Sequence, residues 1–286
     1  MKNFYFISGF PRSGNTLLTS ILNQNPDIFS TGISSLPDIF YRLVLMTAES
    51  ESYLTSPSDE NLHSLFTNIF ETYYKNHQEK YIIERGNWIT PFSFPILNDY
   101  CPNEVKVIIL VRSIKDIVKS YLNICKKSPL FYVNQIYNEM DKTTLYKSEI
   151  EEKIDIIFRK DDWMDRTLYS LKWLIDNNHT ESVRFLDYDD FVENPKQSLE
   201  CLYEYFEIPK FNHKFEDLEQ VSKYGVIYRD MEHLRADLHT IREEKVNKVN
   251  HNIETASHLK EVLETKLPVE LKGMIDIFVL DVSLIN

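Results

Sequence analysis

Four short apolar runs punctuate the first two thirds of the chain: Phe4–Ser8, Tyr81–Glu84, Lys106–Val111 and Val183–Asp187. Each is rich in β-branched or aromatic residues and bounded by polar or turn residues, the pattern of strands buried on both faces. Between them the apolar positions switch to helical spacing. Leu17, Leu18, Ile21 and Leu22 share one face of a helix starting near Gly14, and Ile114, Ile117, Val118, Tyr121 and Leu122 repeat the pattern after the third strand. Further helices are expected around Leu36–Met46, over Trp163–Asp176, and from Pro195 through Leu199, Leu202 and Phe206, the last with proline at an early helical position. Strands alternating with helices predict an α/β fold, three layers α/β/α around a central parallel sheet with right-handed crossovers. No repeat, low-complexity tract or flexible linker divides the chain. A single domain over residues 1–286 is expected, with helical additions at about 126–162 and 207–286.

Composition narrows the function classes. Of 286 residues, 43% are apolar and 27% charged, enough to build a full core. Lys and Arg number 32 against 44 Asp and Glu, a formal charge of -12 that argues against a nucleic-acid binder. A local anion pocket stays open, because charges beyond about 8 Å are largely screened at physiological salt. Cys101, Cys125 and Cys201 are far apart, so a reducing, cytoplasmic compartment is expected rather than a disulfide framework or a zinc site. No run approaches the length of a membrane span, and the N-terminal apolar run is too short for a signal-peptide core.

Glycine is scarce, with 6 in the chain, and two of these frame the segment Gly9-Phe-Pro-Arg-Ser-Gly-Asn-Thr16 between the first strand and first helix. Five residues apart, they match the spacing of a phosphate-binding loop, G-x-x-x-x-G-K-[ST]. Asn15 stands where that loop carries lysine, and Arg12 stands inside it. Backbone N–H groups of a tight turn and a helix N-terminus favour an anion, Arg12 adds a charge-assisted contact, and Ser13 and Thr16 add hydroxyls. A nucleotide triphosphatase also needs an acid at a neighbouring strand end to hold magnesium. Here the strand Val107–Val111 runs into Arg112 instead, which points to an anion held without metal. Ser120, eight residues on, falls on the helix face that begins at the strand end, where with Arg112 it can clamp a second phosphate.

These segments resemble the sulfotransferases that use 3′-phosphoadenylyl sulfate. Phe10-Pro-Arg-Ser-Gly-Asn-Thr-Leu-Leu18 is similar to their 5′-phosphosulfate loop, and Val111-Arg-Ser-Ile-Lys-Asp-Ile-Val-Lys-Ser120 to their 3′-phosphate motif. Leu186-Asp-Tyr-Asp-Asp-Phe-Val-Glu-Asn-Pro195 resembles their Tyr-Glu-Asp-Leu…Asn-Pro segment. Asn23-Gln-Asn-Pro26 and Glu84-Arg-Gly-Asn-Trp88 resemble segments of bacterial and phage sulfotransferase-like proteins. The resemblance implies a fold like that of P-loop-containing nucleoside triphosphate hydrolases. It implies 3′-phosphoadenylyl sulfate as co-substrate, 3′,5′-adenosine bisphosphate as product, and metal-free in-line transfer. Arg12, Ser13, Gly14, Asn15 and Thr16 would hold the 5′-phosphosulfate, Arg112 and Ser120 the 3′-phosphate, and Tyr188 the adenine side. Arg12 and Arg85 are the cations available to stabilise charge on the bridging oxygen.

The acceptor needs a general base. The sulfotransferases acting on small molecules have histidine after the second strand, where this chain has Asn87 and Trp88. Tyr81-Ile-Ile-Glu-Arg85 instead resembles the Glu-Lys strand end of the heparan-type enzymes, so Glu84 is the first choice for base, with a salt bridge to Arg12 or Arg85 as its alternative role. In the family a basic loop late in the chain folds over the nucleotide. Arg235, His239 and Arg242 are the residues for it here, and a solvated amphipathic helix is the other reading; His239 is the alternative base. The acceptor is a small molecule, saccharide or peptide with a hydroxyl or amine, and neither nucleic acid nor membrane is an expected partner. Two other functions remain: a P-loop small-molecule kinase, against which Asn15 and Arg112 both speak, and a non-catalytic nucleotide-binding protein of the same fold.

Overall fold

The computed structural model describes residues 2–144, 147–218, 241 and 246. In chain order its elements are β1 (Asn3–Gly9), α1 (Asn15–Leu22), β2 (Ile28–Ser30), α2 (Leu36–Glu49), α3 (Glu51–Thr55), α4 (Asp59–Tyr73), β3 (Tyr81–Arg85), α5 (Ser93–Tyr100) and β4 (Val107–Val111). There follow α6 (Ile114–Lys127), α7 (Tyr132–Glu139), α8 (Glu149–Ile157), α9 (Trp163–Asp176), β5 (Val183–Asp187), α10 (Tyr188–Glu193) and α11 (Pro195–Phe206). The four strands expected from the apolar runs are present within a residue at either end. The fifth, β2, has only three residues, and so short a run carries no readable periodicity. The chain between 126 and 162 holds the end of α6 together with α7 and α8.

All five strands run parallel in the order β2-β3-β1-β4-β5, with Ile7 opposite Arg85 on one side and Ile108 on the other. The alternation of side chains along each strand feeds two cores. Phe4, Phe6, Ile82, Val107, Ile109 and Phe185 face a layer that includes Phe40, Phe70, Trp88, Val118 and Leu171. Tyr5, Ile7, Ile83, Ile108, Leu110 and Leu186 face Leu18, Ile21, Leu22, Phe191, Leu202 and Phe206. Helices therefore cover both faces, the arrangement that a buried parallel sheet requires.

The chain fills the β3 side of β1 before crossing to β4, so the strand order reverses between β1 and β4. In open α/β sheets the ligand crevice lies beyond the carboxyl ends of the strands at that reversal. Here those ends carry the loop after Gly9 and the residue Arg112.

Candidate active site

β1 ends at Gly9 with φ +151°, and a Cβ built there would lie 2.5 Å from the Leu110 carbonyl oxygen of β4. The loop starts, in other words, against the neighbouring strand's backbone, where only glycine fits. Gly14, at φ +83°, starts α1, and a Cβ on it would lie 2.7 Å from the ring of Tyr188. The Leu18 N–H donates to the Gly14 carbonyl, the first bond of the helix, and no acidic side chain stands in its first turn. The N–H groups of that turn precede the helical ladder and favour an anion.

Two expected ligands turn inward. The Ser13 hydroxyl donates to the Phe10 carbonyl at 2.6 Å, and the Asn15 amide donates to the same oxygen at 2.9 Å and to Ser13 Oγ at 3.1 Å. Both side chains are buried, and they brace the loop from below. Arg12, between them in sequence, has φ +61°, a left-handed conformation unfavourable for a residue with a Cβ. Its Nε donates to Ser120 Oγ at 3.2 Å, while its carbonyl accepts from Arg112 Nη1 at 2.9 Å. Arg112 and Ser120 thus both meet Arg12, a link that spacing along the sequence does not reveal. Tyr121, next to Ser120, is fully buried within reach of the Arg12 charge, and its hydroxyl has no hydrogen-bond partner among the described residues.

The Arg112 guanidinium lies over the Tyr188 ring, 4.2 Å from its centroid. Tyr188 is held there by the preceding turn, in which Asp187 Oδ1 accepts from the N–H groups of Asp189 and Asp190. One tyrosine therefore packs against both Gly14 and Arg112. On the other side of the loop, Arg85 donates to the Gly32 carbonyl and, at 3.4 Å, to Thr16 Oγ1. Arg12, Arg85 and Arg112 gather at the strand ends around one loop, although the chain as a whole is acidic.

Glu84 points to the opposite face of the sheet from Arg85 and is completely buried. Its Oε1 accepts from Ser34 Oγ at 2.7 Å and from the Tyr74 hydroxyl; its Oε2 accepts from Trp88 Nε1 at 3.2 Å. Burial raises its pKa to about 7 despite these three donors, which favour the charged form. Burial and the carboxylate push the Tyr74 phenol above its ordinary value, so it remains a donor. Glu→Trp spacing in Glu84-Arg-Gly-Asn-Trp88 was the visible signal for part of this cage; Ser34 and Tyr74 are distant in sequence and left none.

The raised pKa has a consequence for stability. Between the ordinary value of 4.5 and about 7 the folded state holds a proton on Glu84 that the unfolded chain has lost. The contribution of this carboxyl therefore falls as pH rises through that window and is constant above it. Glu84→Gln is expected to flatten that part of the curve, by on the order of 3 kcal/mol across the window. Denaturant midpoints at pH 5 and pH 8 check it, and equal slopes for both proteins would refute the assignment.

The motif Asn23-Gln-Asn-Pro26 is structural. Asn23 exchanges hydrogen bonds with both backbone groups of Ser30, and Asn25 caps the Asp27 N–H and donates to the Tyr203 hydroxyl at 3.0 Å. His239, Arg242 and Arg235 lie outside the described residues.

Strand, glycine-framed loop and helix, with a second cation at the adjacent strand end, define the P-loop-like α/β class. A model of the sulfotransferase domain matches residues 3–227. The chain belongs to the sulfotransferase domain family, and sulfuryl transfer, not kinase chemistry, is the activity this membership supports. It is similar in fold to the sulfotransferase domain from the curacin biosynthetic pathway, at 13% identity and a TM-score of 0.51, over 94% of this chain and 99% of that one. It is also similar to a sulfotransferase from Alicyclobacillus acidocaldarius, at 15% identity and a TM-score of 0.53, over 96% of each chain. No curated protein matches the sequence. Among the described residues no helix is long and apolar enough to cross a membrane.

Proposed function

We propose that the chain moves the sulfuryl group of 3′-phosphoadenylyl sulfate to a hydroxyl or amine acceptor, without metal, releasing 3′,5′-adenosine bisphosphate. The observation that carries this reading is the junction at Arg12, whose carbonyl is bound by Arg112 and whose side chain is bound by Ser120. Two anion subsites that meet at one residue suit a ligand with phosphate groups at both ends. The residues fit such a ligand: a glycine cradle at Gly9 and Gly14, an uncapped helix N-terminus, and three arginines.

In this reading the backbone of residues 12–16 and Thr16 hold the 5′-phosphosulfate, with Ser13 and Asn15 acting mainly through the loop shape they maintain. Arg112 and Ser120 hold the 3′-phosphate, and Tyr188 fixes Arg112 from the adenine side. Arg12 and Arg85 stabilise the negative charge that develops on the bridging oxygen, an effect that preorganised donors exert without reorganisation. Glu84 is the final proton acceptor, and its pKa near 7 suits a base working near neutral pH. His239 and Arg242 keep their proposed places over the nucleotide. In the same reading residues 1–286 form one catalytic domain, and the free thiols Cys101, Cys125 and Cys201 suit a cytoplasmic setting.

Calorimetric titration with 3′,5′-adenosine bisphosphate and with ATP, each with and without magnesium, tests the reading. Binding of the bisphosphate independent of magnesium is expected. Arg112→Ala should weaken it about 10- to 100-fold, the loss of a charge-assisted contact of about 1.5–3 kcal/mol. Magnesium-dependent ATP binding with no response to the bisphosphate would overturn it.

A further inference from the structure

Glu84 cannot meet an acceptor directly. The carboxyl has no exposed surface, and Tyr74, Trp88 and Ser34 close around its two oxygens. Of these three, Tyr74 and Trp88 are themselves buried to within a few per cent (2% and 0% exposed). Ser34 alone is half-buried, in the loop between β2 and α2. That loop is fastened to the site: the Ser34 N–H donates to the Arg85 carbonyl at 2.8 Å, and the Arg85 side chain donates to Gly32 and to Thr16 of the phosphate-binding loop. Of the three groups around the sealed carboxyl, Ser34 is therefore the one partly open to the surface, with its backbone tied to the Arg85 carbonyl.

Its hydroxyl is already oriented. A serine hydroxyl has one donor and two acceptor positions. The donor points to Glu84 Oε1 at 2.7 Å, and one acceptor position takes the Leu36 N–H at 3.0 Å. The Tyr74 hydroxyl, which shares Glu84 Oε1, stands beside Ser34 Oγ, and among the described residues the only N–H that donates to this oxygen is that of Leu36. We propose that Ser34 is a catalytic residue that contacts the acceptor and relays its proton to Glu84.

The proposal rests on the sulfuryl-transfer reading above. In the step, the acceptor heteroatom forms its bond to sulfur as the bond from sulfur to the bridging phosphate oxygen breaks. The acceptor proton passes to Ser34 Oγ while the Ser34 proton passes to Glu84 Oε1. The electron pair of the broken bond leaves with 3′,5′-adenosine bisphosphate, and Ser34 ends neutral with Glu84 protonated. Among the described residues, the groups that face the carboxyl are Ser34 from the loop, Trp88 beyond β3 and Tyr74 from the end of α4. Of these only Tyr74 titrates, and it stays protonated. Tyr73 and His77 stand behind Tyr74, and Arg85 lies on the other face of the sheet.

Turnover is followed as bisphosphate released from 3′-phosphoadenylyl sulfate, with p-nitrophenol, 1-pentanol, glucosamine or water alone as the probe acceptor. With the fastest probe, Ser34→Ala is expected to lower kcat about 100-fold while the bisphosphate affinity stays within about twofold, and Ser34→Thr to restore most of the rate. The wild-type kcat should rise with pH through about 7 and this limb should vanish in Glu84→Gln. A second measurement needs no variant: two protons in motion make wild-type kcat bow below a straight line in mixtures of light and heavy water. A Ser34→Ala rate within about threefold of wild type, or a straight isotope plot, overturns the relay. Those results with normal bisphosphate binding and turnover leave the sulfotransferase reading standing. A wild-type protein that neither binds the bisphosphate nor releases it from the donor overturns both.

Discussion

Gly9→Ala is expected to cost about 2–6 kcal/mol of stability and to abolish bisphosphate binding with it. Two effects add. At φ +151° an alanine is strained by about 1–3 kcal/mol, and its methyl carbon would lie 2.5 Å from the Leu110 carbonyl oxygen. That oxygen accepts the Phe10 N–H at 3.0 Å, so it cannot retreat without breaking the contact that starts the loop. Forcing extra volume between packed strands costs about 1–3 kcal/mol more. Domains of this kind hold only about 5–15 kcal/mol in total, so the variant should be visibly destabilised in a urea titration. A midpoint within error of the wild type would show that β1 and β4 do not approach so closely at Gly9.

Arg12→Ala is expected to lower the rate of sulfuryl transfer by about 100- to 1,000-fold, the range for removing one preorganised group from a developing oxyanion. Arg12→Gly separates charge from backbone. Both variants lose the guanidinium and should be equally slow, but glycine accepts the left-handed conformation seen at φ +61° without strain. It should therefore be more stable than alanine there by about 1 kcal/mol. Equal stability of the two variants would mean that the loop relaxes out of this conformation once the side chain is gone. Transfer rates near wild type in either would remove Arg12 from the chemistry.

The framework was legible because its signals are local. Buried parallel strands read as continuous apolar runs, so Phe4–Ser8 and Val183–Asp187 stand out, whereas the three residues of β2 are too few for any period. The loop declared itself through two glycines in a glycine-poor chain and through Arg12. Its internal wiring did not, because residue type tells that Ser13 and Asn15 are polar but not that they turn toward the Phe10 carbonyl. Glu84 was readable as a carboxylate at a strand end, and strand alternation alone puts it and Arg85 on opposite faces. What surrounds it was not readable, since Ser34 and Tyr74 come from a loop and a helix end that only the tertiary fold brings together.

The double attachment of Arg12 bears on how nucleotides are told apart. Its backbone is tied to the cation, and its side chain to the hydroxyl, of the proposed 3′-phosphate subsite, while Arg12 itself belongs to the loop proposed for the 5′ end. A nucleotide without a 3′-phosphate would forgo its own contact with Arg112 and also leave Arg112 and Ser120 unrecruited, so the loop arginine would be set differently for the 5′ end. The two ends of the ligand are then read jointly, and the energetic cost of omitting either one exceeds its separate share. Discrimination against nucleotides that carry phosphate only at the 5′ position would arise from this non-additivity, without requiring a residue dedicated to excluding them.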